Sequence, residues 1–140
     1  STLGVVDINV SQNSVSSSIL SILEQHKTAA PRSAYVATES VPLITLDSWI
    51  AENSKNRPFI KIDTQGYEME VLKGAKQALR IASGIKVEVS IAPLYDGQPD
   101  YLHLLEFIRD SGFSLWSIEP GFSDPNTGRL LQFDAVFFRE

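Results

Sequence analysis

An α/β fold is predicted by three observations on this sequence. An apolar stretch at 59–63 leads into a run with helical spacing at 67–83 and then into a second apolar stretch at 85–91, the pattern of a βαβ unit. Tyr101, Leu104, Leu105 and Ile108 repeat at helical spacing, and a third strand pattern follows at 113–118. The last strand pattern, within 129–139, comes after Asp124-Pro-Asn-Thr-Gly128, a turn signal with no helix in between. The final two strands are therefore expected to be antiparallel.

The elements can be justified in order. Residues 4–10 alternate well enough for a half-exposed strand, with Val6, Ile8 and Val10 on one face. Residues 11–18 are rich in Ser and Asn, which favour turns and local hydrogen bonds. A short helical turn is expected over 19–26, ended by Ala29-Ala-Pro31, and the whole stretch 12–40 reads as the most loop-like part. A short extended piece at 41–45 follows. Thr45 or Asp47 then caps a helix through Ala51 that turns Leu46, Trp49 and Ile50 inward, and residues 53–58 close it. The helix over 67–83 carries Val71, Leu72, Ala75, Ala78, Leu79 and Ala82 along one broad face. Gly74 within it costs about 1 kcal/mol relative to Ala, which predicts a kink or a close packing contact. Ser111-Gly112 supplies the stop for the next helix.

Composition bounds the function. With 140 residues, 43% hydrophobic and 21% charged, the chain has the make-up of one globular domain. A formal charge of -5 without a basic stripe argues against a nucleic-acid partner. The absence of Cys excludes disulfides and thiolate metal sites, and the histidines lack ligand spacing, so no metal is expected. No apolar run approaches the roughly twenty residues of a membrane span, and no signal-peptide pattern opens the chain. The cytoplasm is the default expectation. The chain starts at Ser1 and its single Met is Met69, so its amino terminus is expected to be processed, trimmed or cut from a longer reading frame.

The chemistry is expected in the acidic turn after the strand at 59–63. Ligands of open α/β sheets gather outside the carboxyl ends of strands, where Asp63, Gln65 and Glu68 fall. Gly66 permits a turn that a side chain would obstruct. Glu68 opens a helix, where a capping role competes with a chemical one. Glu88 lies inside an apolar strand, where an unpaired carboxylate is costly, so it faces a cleft or pairs with Lys61 or Lys86. Tyr95 and Asp96, in the loop after that strand, suit contacts to an acceptor or a plain turn. Asp134 is expected to hydrogen-bond neighbouring backbone. His103 shares a helical face with Glu106 and Asp110 and reads as solvated; His26 reads as a helix-end residue, and Trp49 and Trp116 as core.

The segment Ile60-Lys-Ile-Asp63-x-Gln65-Gly66-x-Glu68-x-x-Val71-Leu72-x-Gly74-Ala75 resembles the signature of the FkbM family of S-adenosylmethionine-dependent methyltransferases. Thr45-Leu46-Asp47, Val87-Glu88-Val89, Pro93-Leu94-Tyr95, Gly112-Phe113, the closing Gln132-Phe133-Asp134 and the loop Ser16-Ser17-Ser18 resemble it too. The resemblance covers nearly the whole chain in order. It implies an α/β, Rossmann-like class I methyltransferase sheet with an antiparallel final strand and with S-adenosylmethionine as cofactor. The implied activity is O-methylation of a small-molecule or glycan hydroxyl. By the same resemblance Asp63, Gln65 and Gly66 bind the cofactor, Asp63 and Glu88 are catalytic, and Glu68, Tyr95 and Asp96 meet the acceptor.

The family's glycine-rich turn after its first strand and the acidic residue ending its second have no match here. The chain is therefore expected to be a partial methyltransferase domain over 1–140 that lacks its first strands. Residues 1–58 would supply a strand, the Ser-rich loop and a short helix, and 59–140 the βαβ core. Such a piece is expected to have little activity alone. The competing expectation is a non-catalytic module whose strand at 59–63 lies at a sheet edge, inviting a second copy or a complementing chain.

Overall fold

Alternation along one strand explains the layering of this chain, for which a computed structural model describes residues 3–53 and 56–140. The strand is β4 (Gly84–Ser90), in which Ile85, Val87 and Val89 are fully buried while Lys86 and Glu88 between them stay half-buried. Its neighbours are β3 (Phe59–Ile62), which runs parallel to it, and β6 (Gln132–Phe138), which runs antiparallel. β5 (Ser114–Pro120) closes the far side antiparallel to β6, giving a mixed sheet in the order β3-β4-β6-β5. The expected βαβ unit and the antiparallel final strand are both present.

The register sorts the side chains by face. Ile60 and Ile62 align with Ile85 and Val87, which in turn oppose Phe137 and Ala135, and this face packs into the main core. The helices α2 (Leu46–Asn53), α3 (Glu68–Lys73), α4 (Lys76–Ile81) and α5 (Tyr101–Asp110) bury Ile50, Leu72, Leu79 and Ile108 in the same cluster. The opposite face carries Phe59, Lys61, Lys86, Glu88, Asp134, Val136 and Phe138, all at least partly exposed. Phe59 and Phe138 cover Gly84 there: an added Cβ would lie 2.8 and 2.9 Å from their rings and 2.7 Å from the Phe137 carbonyl oxygen.

The expected single helix at 67–83 is two helices, α3 and α4, broken at Gly74-Ala75. The first turn of α2 fills the break. Asp47 Oδ1 accepts the Gln77 and Ala78 amides at 2.8 Å each, and its own amide donates to the Gly74 carbonyl at 3.1 Å. Gly74 makes the predicted close contact, with Thr45 Cγ2 at 3.3 Å from the position of a Cβ. Thr45 caps α2, its Oγ1 accepting the Ser48 amide at 3.1 Å, so Thr45 and Asp47 cap different helices.

A separate antiparallel hairpin, β1 (Gly4–Ser11) and β2 (Tyr35–Leu43), holds the first third of the chain. β2 corrects the expectation of a loop through residue 40; its side chains are mostly exposed, so an apolar pattern is absent. The helical turn expected at 19–26 falls later, at α1 (Glu24–Ala29), followed by a 3-10 turn at Pro31–Ser33. The Leu23 amide donates to the Leu94 carbonyl and the Asp96 amide to the Ser21 carbonyl, which ties residues 21–23 to the loop after β4 in a bridge rather than a helix. A second small core of Ile22, Ala29, Ala92, Leu94, Tyr95 and Leu131 results. Trp49 and Trp116 are 49% and 65% exposed rather than core residues. The segment expected to close α2 lies partly outside the described residues, at 54–55.

Candidate active site

Two consecutive left-handed residues shape the turn at the carboxyl end of β3: Gln65 at φ 54 and Gly66 at φ 98. An added Cβ at Gly66 would stand 3.0 Å from Tyr95 Cβ and 3.1 Å from Leu20 Cδ1, so the space above this glycine is already filled by the protein. Glu68, the first residue of α3, reaches back over the turn. Its Oε1 accepts the Thr64 and Gly66 amides at 3.0 and 3.1 Å and the Thr64 hydroxyl at 3.3 Å. From the Ser-rich loop, the Ser18 hydroxyl donates to the Gln65 carbonyl at 2.6 Å.

The turn aims the Gln65 side chain across the sheet. Its Nε2 donates at 2.7 Å to both Asp63 Oδ1 and Glu88 Oε2, while its Oε1 accepts the Tyr95 hydroxyl at 2.8 Å. A phenol that donates to the amide oxygen fixes which end of the amide faces the carboxylates. Gln132 on β6 completes the cluster, its Nε2 donating to Glu88 Oε2 at 2.8 Å and to the Ser90 hydroxyl at 3.2 Å. Asp63 Oδ2 accepts Lys61 Nζ at 2.9 Å. Lys86 is occupied elsewhere, with Asp134 at 3.0 Å and Glu119 at 2.5 Å. Neither lysine pairs with Glu88, and Asp134 forms an ion pair rather than the expected backbone bond.

These surroundings act unequally on the acids. Burial, reinforced by the nearby charges of Asp63, Glu68 and Asp134, pushes the Glu88 carboxyl up to about 8. Burial also raises Glu68, against the pull of the backbone amides that it accepts. The Tyr95 phenol is raised by burial and stays neutral.

Asp63, Gln65, Gly66, Glu68, Glu88 and Tyr95 thus come together, whereas Asp96 sits apart and exposed, only its backbone tied to Ser21. Gln65, Glu68 and Tyr95 are 9%, 4% and 1% exposed and lie beneath the site, framing it. Asp63 is open, and with Thr64 it lines a cleft of about 590 Å³ between α3, the Ser-rich loop and residues 43–46. His26 stands in the last turn of α1, as expected of a helix-end residue, but is buried beside Tyr95 and Phe122, at 5.2 and 5.8 Å between ring centroids. Burial lowers its pKa. His103 is exposed, as expected. Among the described residues no group of three His, Asp or Glu side chains is placed to hold a metal ion, and no helix is long and apolar enough to cross a membrane.

An acidic turn at a strand end, a half-buried acid in the next strand and an antiparallel closing strand are consistent with a methyltransferase-like α/β fold. The methyltransferase FkbM domain matches residues 4–115, and the chain belongs to this family. No curated protein and no solved structure matches the chain significantly. Sequence reasoning missed Gln132 as a site residue. The available signal was its place in the closing Gln132-Phe133-Asp134 segment, whose polar residues share the face of Glu88.

Proposed function

We propose that this chain is the acceptor-activating part of an S-adenosylmethionine-dependent O-methyltransferase of Rossmann-like class I type, acting on a hydroxyl of a small molecule or glycan. One observation carries the reading: Glu88, an acid pushed up to about 8, is held by two amides at 2.7 and 2.8 Å beside Asp63 at the carboxyl end of a parallel strand pair. The strand order β3-β4-β6-β5 supports the fold type.

S-adenosylmethionine supplies an electrophilic methyl group on sulfur. Methyl transfer to a hydroxyl forms a C–O bond as the S–C bond breaks, and the hydroxyl must lose its proton. Ionised Glu88 takes that proton, because its pKa lies near working pH. Asp63, exposed at the cleft, fits hydroxyl or ammonium donors of the cofactor and orients them, while Gln65 bridges the two acids through one amide nitrogen. Gly66 serves by admitting Tyr95.

A second reading has its own observation. β3 pairs only with β4 among the described residues and leaves an open edge, as a docking module would. Calorimetric titration of the chain with S-adenosylmethionine and S-adenosylhomocysteine, with its solution mass measured alongside, separates the two. Saturable binding that weakens about tenfold in Asp63→Ala is expected, the loss of one hydrogen-bonded contact. No binding by a monomeric chain would mean that the cofactor site needs a complementing chain, and no binding by a stable oligomer would overturn the enzyme reading in favour of the module.

A further inference from the structure

The two amides that grip Glu88 come from opposite sides. β4 lies between β3 and β6; Gln65 arrives from the turn after β3 and Gln132 from the start of β6. Both nitrogens converge on the same oxygen, Oε2, at 2.7 and 2.8 Å. Oε1 accepts no hydrogen bond from a described residue and is not fully enclosed. A carboxyl oxygen that accepts two N–H groups has its lone pairs engaged, which leaves the proton of the acid form to the other oxygen.

We propose that Gln132 is a positioning residue: with Gln65 it pins Oε2 of Glu88 and thereby dedicates Oε1 to the incoming hydroxyl. The bland alternative is a buried glutamine that only satisfies its own amide. Gln132 is 4% exposed and has the Ser90 hydroxyl at 3.2 Å for that purpose, yet its shorter bond, 2.8 Å, goes to Glu88. The inference rests on the proposed role of Glu88 in proton transfer. In that step the hydroxyl proton passes to Oε1 as the C–O bond forms, and the electron pair of the broken S–C bond stays on sulfur. Both amides donate to the carboxylate form, so the pincer also favours the ionised state that receives the proton.

The test reads Glu88 without cofactor or turnover, so its failure is distinct from failure of the methyltransferase reading. The side-chain carboxyl of Glu88 is titrated by carbon-13 NMR in the wild type and in Gln132→Met, a donor-free side chain of similar length. Loss of one N–H donor is expected to raise the midpoint by about one pH unit. A second measurement stands should Gln132→Met not fold. In the wild type, the side-chain NH₂ resonances of Gln132 are expected to shift with the Glu88 midpoint, and those of exposed Gln25 to stay flat. An unchanged midpoint in a folded Gln132→Met, or Gln132 resonances indifferent to Glu88, would overturn the proposal.

Discussion

Glu88→Gln is expected to stabilise the folded chain by on the order of 4 kcal/mol at pH 8 and above, while abolishing methyl transfer. The folded protein holds the Glu88 proton up to about 8, whereas the unfolded chain releases it near the ordinary 4.5. Between those values the folded state binds more protons, so raising the pH lowers wild-type stability; below 4.5 and above about 8 the contribution is flat. A glutamine mimics the protonated acid. Its carbonyl oxygen accepts the Gln65 and Gln132 amides in place of Oε2, its NH₂ takes the position of Oε1, and it never ionises. Urea denaturation from pH 4.5 to 9 measures this as a gap that opens with pH between variant and wild type. Parallel stability curves at all pH values would refute it. Wild-type transfer, which needs the ionised form, is expected to rise through pH 8, opposite to stability. A site that is most active where it is least stable keeps its acid for function and not for folding.

How much of this was legible follows from where the apolar pattern was strong. β4 and β6 bury every second residue, and β3 does so on a shorter scale; these strands and their pairing were readable because one face must pack on helices. α5 was readable for the same reason: Leu104 and Ile108 repeat at the helical period. β2 was hidden because its side chains are mostly exposed, and its pairing with β1 is carried by backbone bonds that leave no apolar trace. Gly74 marked the place of the α3–α4 break as a kink or a close contact, but its cause, the Asp47 carboxylate, was hidden because it lies thirty residues upstream of the amides it accepts. Periodicity alone reads through such an interruption.

The site was half legible. Asp63, Gln65, Gly66 and Glu68 stand together in the sequence, and Glu88 stood out as an acid in an apolar strand. The sequence left open what Glu88 would meet. A cleft-facing acid or a pair with Lys61 or Lys86 was expected; Lys61 is drawn to Asp63 and Lys86 to Asp134 and Glu119, which leaves the acid to two neutral amides. The amides pull its pKa down less than an ammonium would, so burial and the neighbouring acids prevail and the pKa is raised. Tyr95 was read from its loop position as an acceptor contact or part of a plain turn. The second small core, assembled from segments far apart in sequence, draws its ring inside and sets its hydroxyl on Gln65.

Glu68→Ala is expected to destabilise the chain by about 2–4 kcal/mol and to loosen the cluster above it. The Glu68 carboxylate is the partner of two backbone amides, Thr64 and Gly66, in a turn where Gly66 is buried. Removing it leaves those donors short of a partner in a place that water reaches poorly, and an unsatisfied buried donor costs more than the net value of the bond it lost. The turn also holds strain. Gln65 is a non-glycine residue at φ 54, a conformation sustained only while its surroundings enforce it, here through Glu68 from below and Ser18 on its carbonyl. Freed from Glu68, Gln65 can relax toward negative φ and withdraw its amide from Asp63 and Glu88. Glu68→Gln separates the two contributions. Its carbonyl oxygen still accepts both amides and it lacks the buried charge, so its loss is expected to stay under about 1 kcal/mol. Chemical denaturation of both variants at pH 7 checks the ranking, and the Glu88 carboxyl titration checks the link: its midpoint is expected to move in Glu68→Ala as the Gln65 donor is lost. Equal stability loss in the two variants would mean that the charge of Glu68, and not its staple on the turn, is what the fold uses.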